Sequence, residues 1–273
     1  MNAYLLTDSA TMFRRSLRRM RRYPSLTFFI AAIPVVLLLL FVYVLGGTLG
    51  SGLGGATGAA SLPAGGGRDA YLAYIVPGIL LATVAGSGQG TAITVSMDMT
   101  AGIIARFRTM AIARGAVLAG HVFGSVLQGM LATALVAVVA VVIGFRPSTG
   151  PVDWVAAAGM LALTGFAVGW LCVALGLVTD SVETASNLPM FLVLMLFVSS
   201  AFVPTESLPG PLAWFAEHQP FTPIIETLRG LLAGTPIGDS GLLAVGWCVL
   251  VSVGAALWAR RLYERVPART GAA

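Results

Sequence analysis

Lysine is absent from this 273-residue chain, and all 16 of its basic residues are arginine. Without Lys the GxxxxGK[ST] phosphate loop cannot be written, so the chain carries no P-loop ATP site of its own. Its two histidines, His121 and His218, lie far apart and form no HExxH pair, which excludes a zincin-type metal site. No GxSxG nucleophile elbow occurs. The two cysteines, Cys172 and Cys248, both fall inside apolar stretches and read as buried, inert thiols. Charge is scarce altogether. Only 10% of residues are charged, against about 25% in an ordinary domain. With 57% hydrophobic residues and 33 glycines, that shortage excludes a soluble globular protein, a disordered chain and a nucleic-acid-binding domain. The net charge of +5 therefore has to be read by position.

What the chain does have is long apolar runs. A helix needs roughly 20 apolar residues to cross about 30 Å of hydrocarbon. Six stretches qualify: 25–46, 71–95, 116–144, 152–178, 185–203 and 239–260. Asp153 and Asp239 stand only at span starts, where a carboxylate reaches the wet interface. The first run is longer than the roughly 7–15 residues of a signal-peptide core, so it reads as a retained helix. Arg positions set the orientation. Arg14, Arg15, Arg18, Arg19, Arg21 and Arg22 precede the first span, and Arg106, Arg108 and Arg114 lie between the second and third. Arg260, Arg261, Arg265 and Arg269 end or follow the sixth, while Arg68, Arg146 and Arg229 fall one each on the alternate loops. By the positive-inside rule both termini and the 96–115 loop face the cytoplasm. The 179–184 loop, with Asp180 and Glu183, faces it by alternation, and acidic residues weigh little in that rule.

Outside the spans, residues 3–22 carry Leu6, Ala10, Phe13, Leu17 and Met20 in one stripe beside the paired arginines. This predicts an amphipathic helix in the cytoplasmic interface, with Phe13 and Leu17 in the lipid and Arg14 and Arg18 at the head groups. Residues 47–70, mostly Gly, Ala and Ser, read as an external loop. The 204–238 stretch is external yet rich in Leu, Ile, Phe and Trp, and it is punctuated by Pro204, Pro209, Pro211, Pro220 and Pro223. Two short amphipathic helices, about 206–217 and 221–233, dipping back toward the outer leaflet are expected there. Glu226 and Arg229, three apart, face one another on the second, a pair expected to contribute a few tenths of a kcal/mol. The fold class is thus all-α integral membrane. It is a single domain over 1–273, with an interfacial helix, six transmembrane helices and re-entrant external helices before the last span.

Ion-coupled carriers place ionisable groups inside the membrane. These spans have none in their middles apart from His121, near the start of the third, which reads as a packed or interfacial residue. An ion-coupled carrier is therefore disfavoured, and an intramembrane hydrolase more so, for want of a Ser/His or metal constellation. Gly86-Ser87-Gly88-Gln89-Gly90 lies inside an apolar span, and Gly120/Gly124 and Gly165/Gly169 form GxxxG pairs. All read as close helix contacts. The lining suits an apolar or amphipathic solute, but it supplies no energy source.

The cytoplasmic loop runs Asp98-Met99-Thr100-Ala101-Gly102-Ile103-Ile104-Ala105-Arg106-Phe107-Arg108, then Arg114 and an apolar run ending in Gly120-His121. It resembles the cytoplasmic loop of type-2 ATP-binding-cassette (ABC) exporter permeases, especially the daunorubicin-resistance group. Phe202-Val203-Pro204 with Leu208-Pro209, then Gln219-Pro220-Phe221-Thr222-Pro223 and Leu228-Arg229-Gly230-Leu231, is similar to that family's last external segment. The order of elements matches over nearly the whole chain. Ala111 stands where the family often has Pro, and Gln219 where it often has Asn.

The resemblance implies a permease of the bacterial cytoplasmic membrane that is not itself an enzyme. Two copies would pair with two ABC ATPase subunits, which hold the ATP and Mg. This chain binds no cofactor, metal or nucleic acid on that reading. The implied coupling residues are Asp98, Gly102, Arg106, Phe107, Arg108 and Arg114, with Phe107 an apolar knob for a cleft in the ATPase. The opposing view is that these arginines serve topology alone. The implied external segment contains Pro204, Pro209, Pro220, Glu226 and Arg229. The cargo implied is a hydrophobic drug or natural product, with a lipid or lipid-linked glycan as the alternative. Residues touching the cargo are not assigned.

Overall fold

The core of the protein is built around one long helix that other helices cover on nearly every side. The computed structural model describes residues 14, 24–46, 67–101, 114–147, 149–203, 205 and 208–265. Among these the regular elements are all helical: α1 (Pro24–Leu40) running into a π-helical turn (Phe41–Leu45), α2 (Arg68–Thr100), α3 (Arg114–Val142), α4 (Pro151–Val178), α5 (Val182–Asn187), α6 (Met190–Phe197), α7 (Gly210–His218), α8 (Phe221–Ala233) and α9 (Ser240–Arg265). α2 is the central helix. It packs against α4 and α3 along its length and touches α1, α5, α6 and α8. α4 is the second hub, between α2 and α9.

Small residues let these backbones approach. A Cβ on Gly88 of α2 would lie 2.7 Å from both Cys172 Sγ and Val168 Cγ1 of α4. A Cβ on Gly176 would lie 2.7 Å from the Ala92 carbonyl oxygen. Gly165 and Gly169 similarly face Val84 and Val122, so these glycines serve helix packing. Cys172 and Cys248 are buried and unbridged.

Among the described residues four helices are long and apolar enough to cross a membrane: Arg68–Thr100, Ala116–Val142, Pro151–Val178 and Ser240–Glu264. Their outward faces stay apolar; Val142 and Leu242 are each 79% exposed, and Phe123, Leu131, Val138, Leu250 and Val253 also face outward. Such a surface suits hydrocarbon, not water. The expected spans 25–46 and 185–203 appear as shorter apolar helices, Ile30–Leu45 and Val182–Phe197. The fifth differs most from the sequence reading. Pro189 has no N–H and divides it into α5 and α6, and residues 198–203 form turns, not helix. Those turns are held by aromatics: Phe202 stacks on Phe197 at 4.6 Å and on Phe41 at 5.2 Å.

Local chemistry explains most helix ends. α3 closes where Gly144 takes φ +115° and the Phe145 N–H donates back to the Ala140 carbonyl at 2.9 Å. α4 begins with Pro151, and the Asp153 carboxylate accepts the Gly150 N–H at 3.2 Å. Ser181 caps α5 by accepting the Thr184 N–H. α8 buries Phe221, Ile224, Ile225, Leu228 and Leu232 on one stripe and stops at Gly234, φ +71°. α7 starts later than expected because Pro209 sits at its N-cap and Pro211 just inside.

Candidate functional site

Two polar clusters flank the apolar stretch of α2, one near each end. Tyr74 and Asp98 are 24 residues apart in the sequence, roughly 36 Å at about 1.5 Å rise per residue. That exceeds the ~30 Å of a hydrocarbon core.

At the Arg68 end the cluster is centred on Arg229 of α8, which is 9% exposed. Its Nη1 donates to Glu226 Oε1 at 2.7 Å. Its Nη2 donates to the Ser200 carbonyl at 2.9 Å and lies 3.5 Å from the Tyr74 carbonyl. The guanidinium also stacks over the Tyr74 ring, with Cζ 4.0 Å from its centroid. The Tyr74 hydroxyl donates to the same Ser200 carbonyl at 3.0 Å. Three segments thus meet at one guanidinium: α8, the turn after α6, and α2. This revises the expected strength of the Glu226–Arg229 pair. Taken alone it is an i,i+3 contact, but here the arginine is buried and also bonded across two other elements, where a charge is costly to strand. Nearby, Arg68 stacks over Tyr43 at 4.2 Å. Pro209 and Pro220 occupy the N-caps of α7 and α8. Gln219, at the break between those helices, is buried, and its N–H donates to the Phe215 carbonyl. Pro204 lies outside the described residues.

At the other end, Asp98 is buried in the last turn of α2, and its Oδ2 lies 3.3 Å from His121 Nε2 on α3. His121 thus faces the Asp98 carboxylate within ion-pair distance and is not only a packed ring. Beside this contact a second apolar cluster joins α2, α3, α4 and α9 through Val95, Leu118, Val122, Val173, Leu177 and Tyr263. Residues 96–100 of the expected loop belong to α2, and Arg114 is the first residue of α3. Gly102, Arg106, Phe107 and Arg108 lie outside the described residues, as do Phe13, Leu17 and Arg18. Arg14 is helical and exposed.

Tyr74 and Ser200 were not singled out from sequence, because nothing local distinguishes an aromatic or a serine in a span from core filler. Among the described residues no group of three or more His, Cys, Asp or Glu is placed to hold a metal ion.

Comparison with known proteins places this arrangement. The family model described as ABC-2 type transporter matches residues 8–233. This chain belongs to the ABC-2 type transporter family. An ABC-2 permease is a membrane transport component that normally works with an ABC ATPase. The chain is 28% identical over 253 residues to the daunorubicin resistance ABC transporter permease protein DrrB1 of Streptomyces coeruleorubidus, covering 92% of this chain and 83% of that one. It is 26% identical over 198 residues to the probable doxorubicin resistance ABC transporter permease protein DrrC of Mycobacterium tuberculosis (strain H37Rv), covering 71% and 72% respectively. The chain is thus a membrane-integral ABC permease, homologous to drug-resistance exporter permeases.

Proposed function

We propose that this chain is the membrane subunit of an exporter that moves a hydrophobic or amphipathic small molecule, an anthracycline-like drug or natural product, out of a bacterial cell. The observation that carries this reading is the similarity to a daunorubicin-resistance permease over 92% of the chain. The cargo follows from the relatives' chemistry together with spans whose interior polar groups are hydroxyls and amides, such as Thr83, Ser87, Thr164 and Gln89. Energy comes from ATP and Mg on a separate ATPase. Two permeases and two ATPases make the complex.

The chain forms one domain and crosses the inner membrane six times, with both termini cytoplasmic. α7 and α8 fold back toward the outer leaflet. The interfacial helix, through Phe13, Arg14, Leu17 and Arg18, and the loop from Asp98 to Arg114 receive the push of the closing ATPase dimer. Arg106, Phe107 and Arg108 make the contact, with Asp98, Gly102 and Arg114 as the other coupling residues. Supporting this, α2 leads directly from that loop to the Arg229 cluster and is mostly buried between them, so a displacement at one end is carried through packed side chains.

The test is ATP-dependent daunorubicin uptake into inverted vesicles containing the permease and its ATPase. Arg106→Ala and Phe107→Ala are expected to lower uptake at least ten-fold while membrane insertion is unchanged. Normal uptake by both variants would overturn the coupling assignment, and no uptake by the wild type would overturn the cargo.

A further inference from the structure

The geometry points to Asp98 and His121 as positioning residues that lock the base of the coupling loop, so that α2 and α3 move as one lever. This rests on the coupling role proposed above for the loop between them. Asp98 lies in the last turn of α2, and His121 lies two turns into α3. Oδ2 and Nε2 are 3.3 Å apart, with the two side chains only 10% and 15% exposed. A charge-assisted contact that is mostly shielded from water is stronger than a surface pair.

Its position gives it a mechanical role. The chain leaves α2 just beyond Asp98 and re-enters helix at Arg114. A push on the intervening segment would either splay the two helices or drive both together. The Asp98–His121 contact ties them on the loop side. Val95, Leu118 and Val122 tie them beside it, together with Val173 and Leu177 of α4 and Tyr263 of α9. Apolar packing alone permits sliding and rotation between helices. A close polar contact between two mostly buried side chains adds a restraint against both. The base of the loop is thereby stiff, and a force applied at Arg106–Arg108 reaches α2 without being lost in bending.

The experiment uses the full permease with its ATPase in nanodiscs and vesicles and compares D98N, H121A, the double variant and H121R. Three quantities are read: ATP hydrolysis, daunorubicin uptake per ATP hydrolysed, and tryptic cleavage after Arg106, Arg108 and Arg114. H121A and D98N should each lower uptake per ATP at least ten-fold, and H121A should leave hydrolysis within two-fold of wild type. The double variant should be no worse than either single one, since both remove the same contact. H121R, which restores a donor to Asp98, should keep at least half the uptake. Cleavage should rise at least three-fold in the single variants but not in H121R.

Wild-type uptake in H121A beside a dead Phe107→Ala would overturn the inference while sparing the coupling role. So would additive losses in the double variant, or an H121R as defective as H121A. If Arg106→Ala and Phe107→Ala both transport normally, it is the coupling role that fails. Cleavage then still decides whether the pair holds the loop base, and unchanged rates overturn that too. Should H121A fail to insert, H121R against D98N makes the same comparison.

Discussion

Replacing Arg229 with alanine is the sharpest probe of how α8 is held. The side chain makes a charge-assisted bond to the Ser200 carbonyl at 2.9 Å, worth about 1.5–3 kcal/mol. It stacks on a buried Tyr74 ring at 4.0 Å, worth about 2 kcal/mol in a desolvated site. The Glu226 side chain is 38% exposed, so water takes up its charge and its loss adds less than about 1 kcal/mol. The total, about 3.5–6 kcal/mol, is close to the usual cost of about 3–5 kcal/mol for breaking a buried ion pair. For a chain of this size that lowers Tm by on the order of 10 °C. The assay is thermal unfolding of the purified permease in nanodiscs, followed by tryptophan fluorescence, since Trp214 lies on the adjoining α7. Arg229→Lys keeps the charge but loses the planar fork and should fall between wild type and Arg229→Ala. A Tm drop below about 2 °C for Arg229→Ala would refute the reasoning, because it would mean that α8 is held by its apolar stripe alone.

Two further outcomes are expected. Gly176→Ala pushes a methyl group to 2.7 Å from the Ala92 carbonyl oxygen. No side-chain rotation relieves a backbone clash, so Tm should fall by an amount corresponding to about 1–3 kcal/mol; an unchanged melting curve would contradict the α2–α4 contact. Cysteines introduced at Ala60 and Gly210, with Cys172 and Cys248 replaced by alanine, should react with a membrane-impermeant maleimide added outside cells. Labelling only after the cytoplasmic side is opened would invert the topology.

The apolar content and its arrangement in long runs were enough to read an all-helical membrane protein. These signals are local in the chain and come from solvent preference, which side-chain chemistry sets residue by residue. α7 and α8 were legible for the same reason, since proline spacing and an amphipathic stripe are also local. The fifth apolar run was misread in length. Its composition suits a span, but Pro189 and the aromatic stack of Phe202 on Phe197 and Phe41 divide it and end it in turns.

Tertiary structure alone decided the partners. Glu226 and Arg229 could be paired from their spacing, yet only the fold shows that Tyr74 and the Ser200 carbonyl enclose the guanidinium, which makes a weak contact a strong one. Asp98 was read as one end of a loop and His121 as a solitary ring. Their approach to 3.3 Å depends on how α2 and α3 pack. Sequence by itself determined which segments prefer lipid. Which charges meet was decided by helix packing, because contacts between distant residues depend on the angles and offsets of whole helices and leave no periodic trace in the chain.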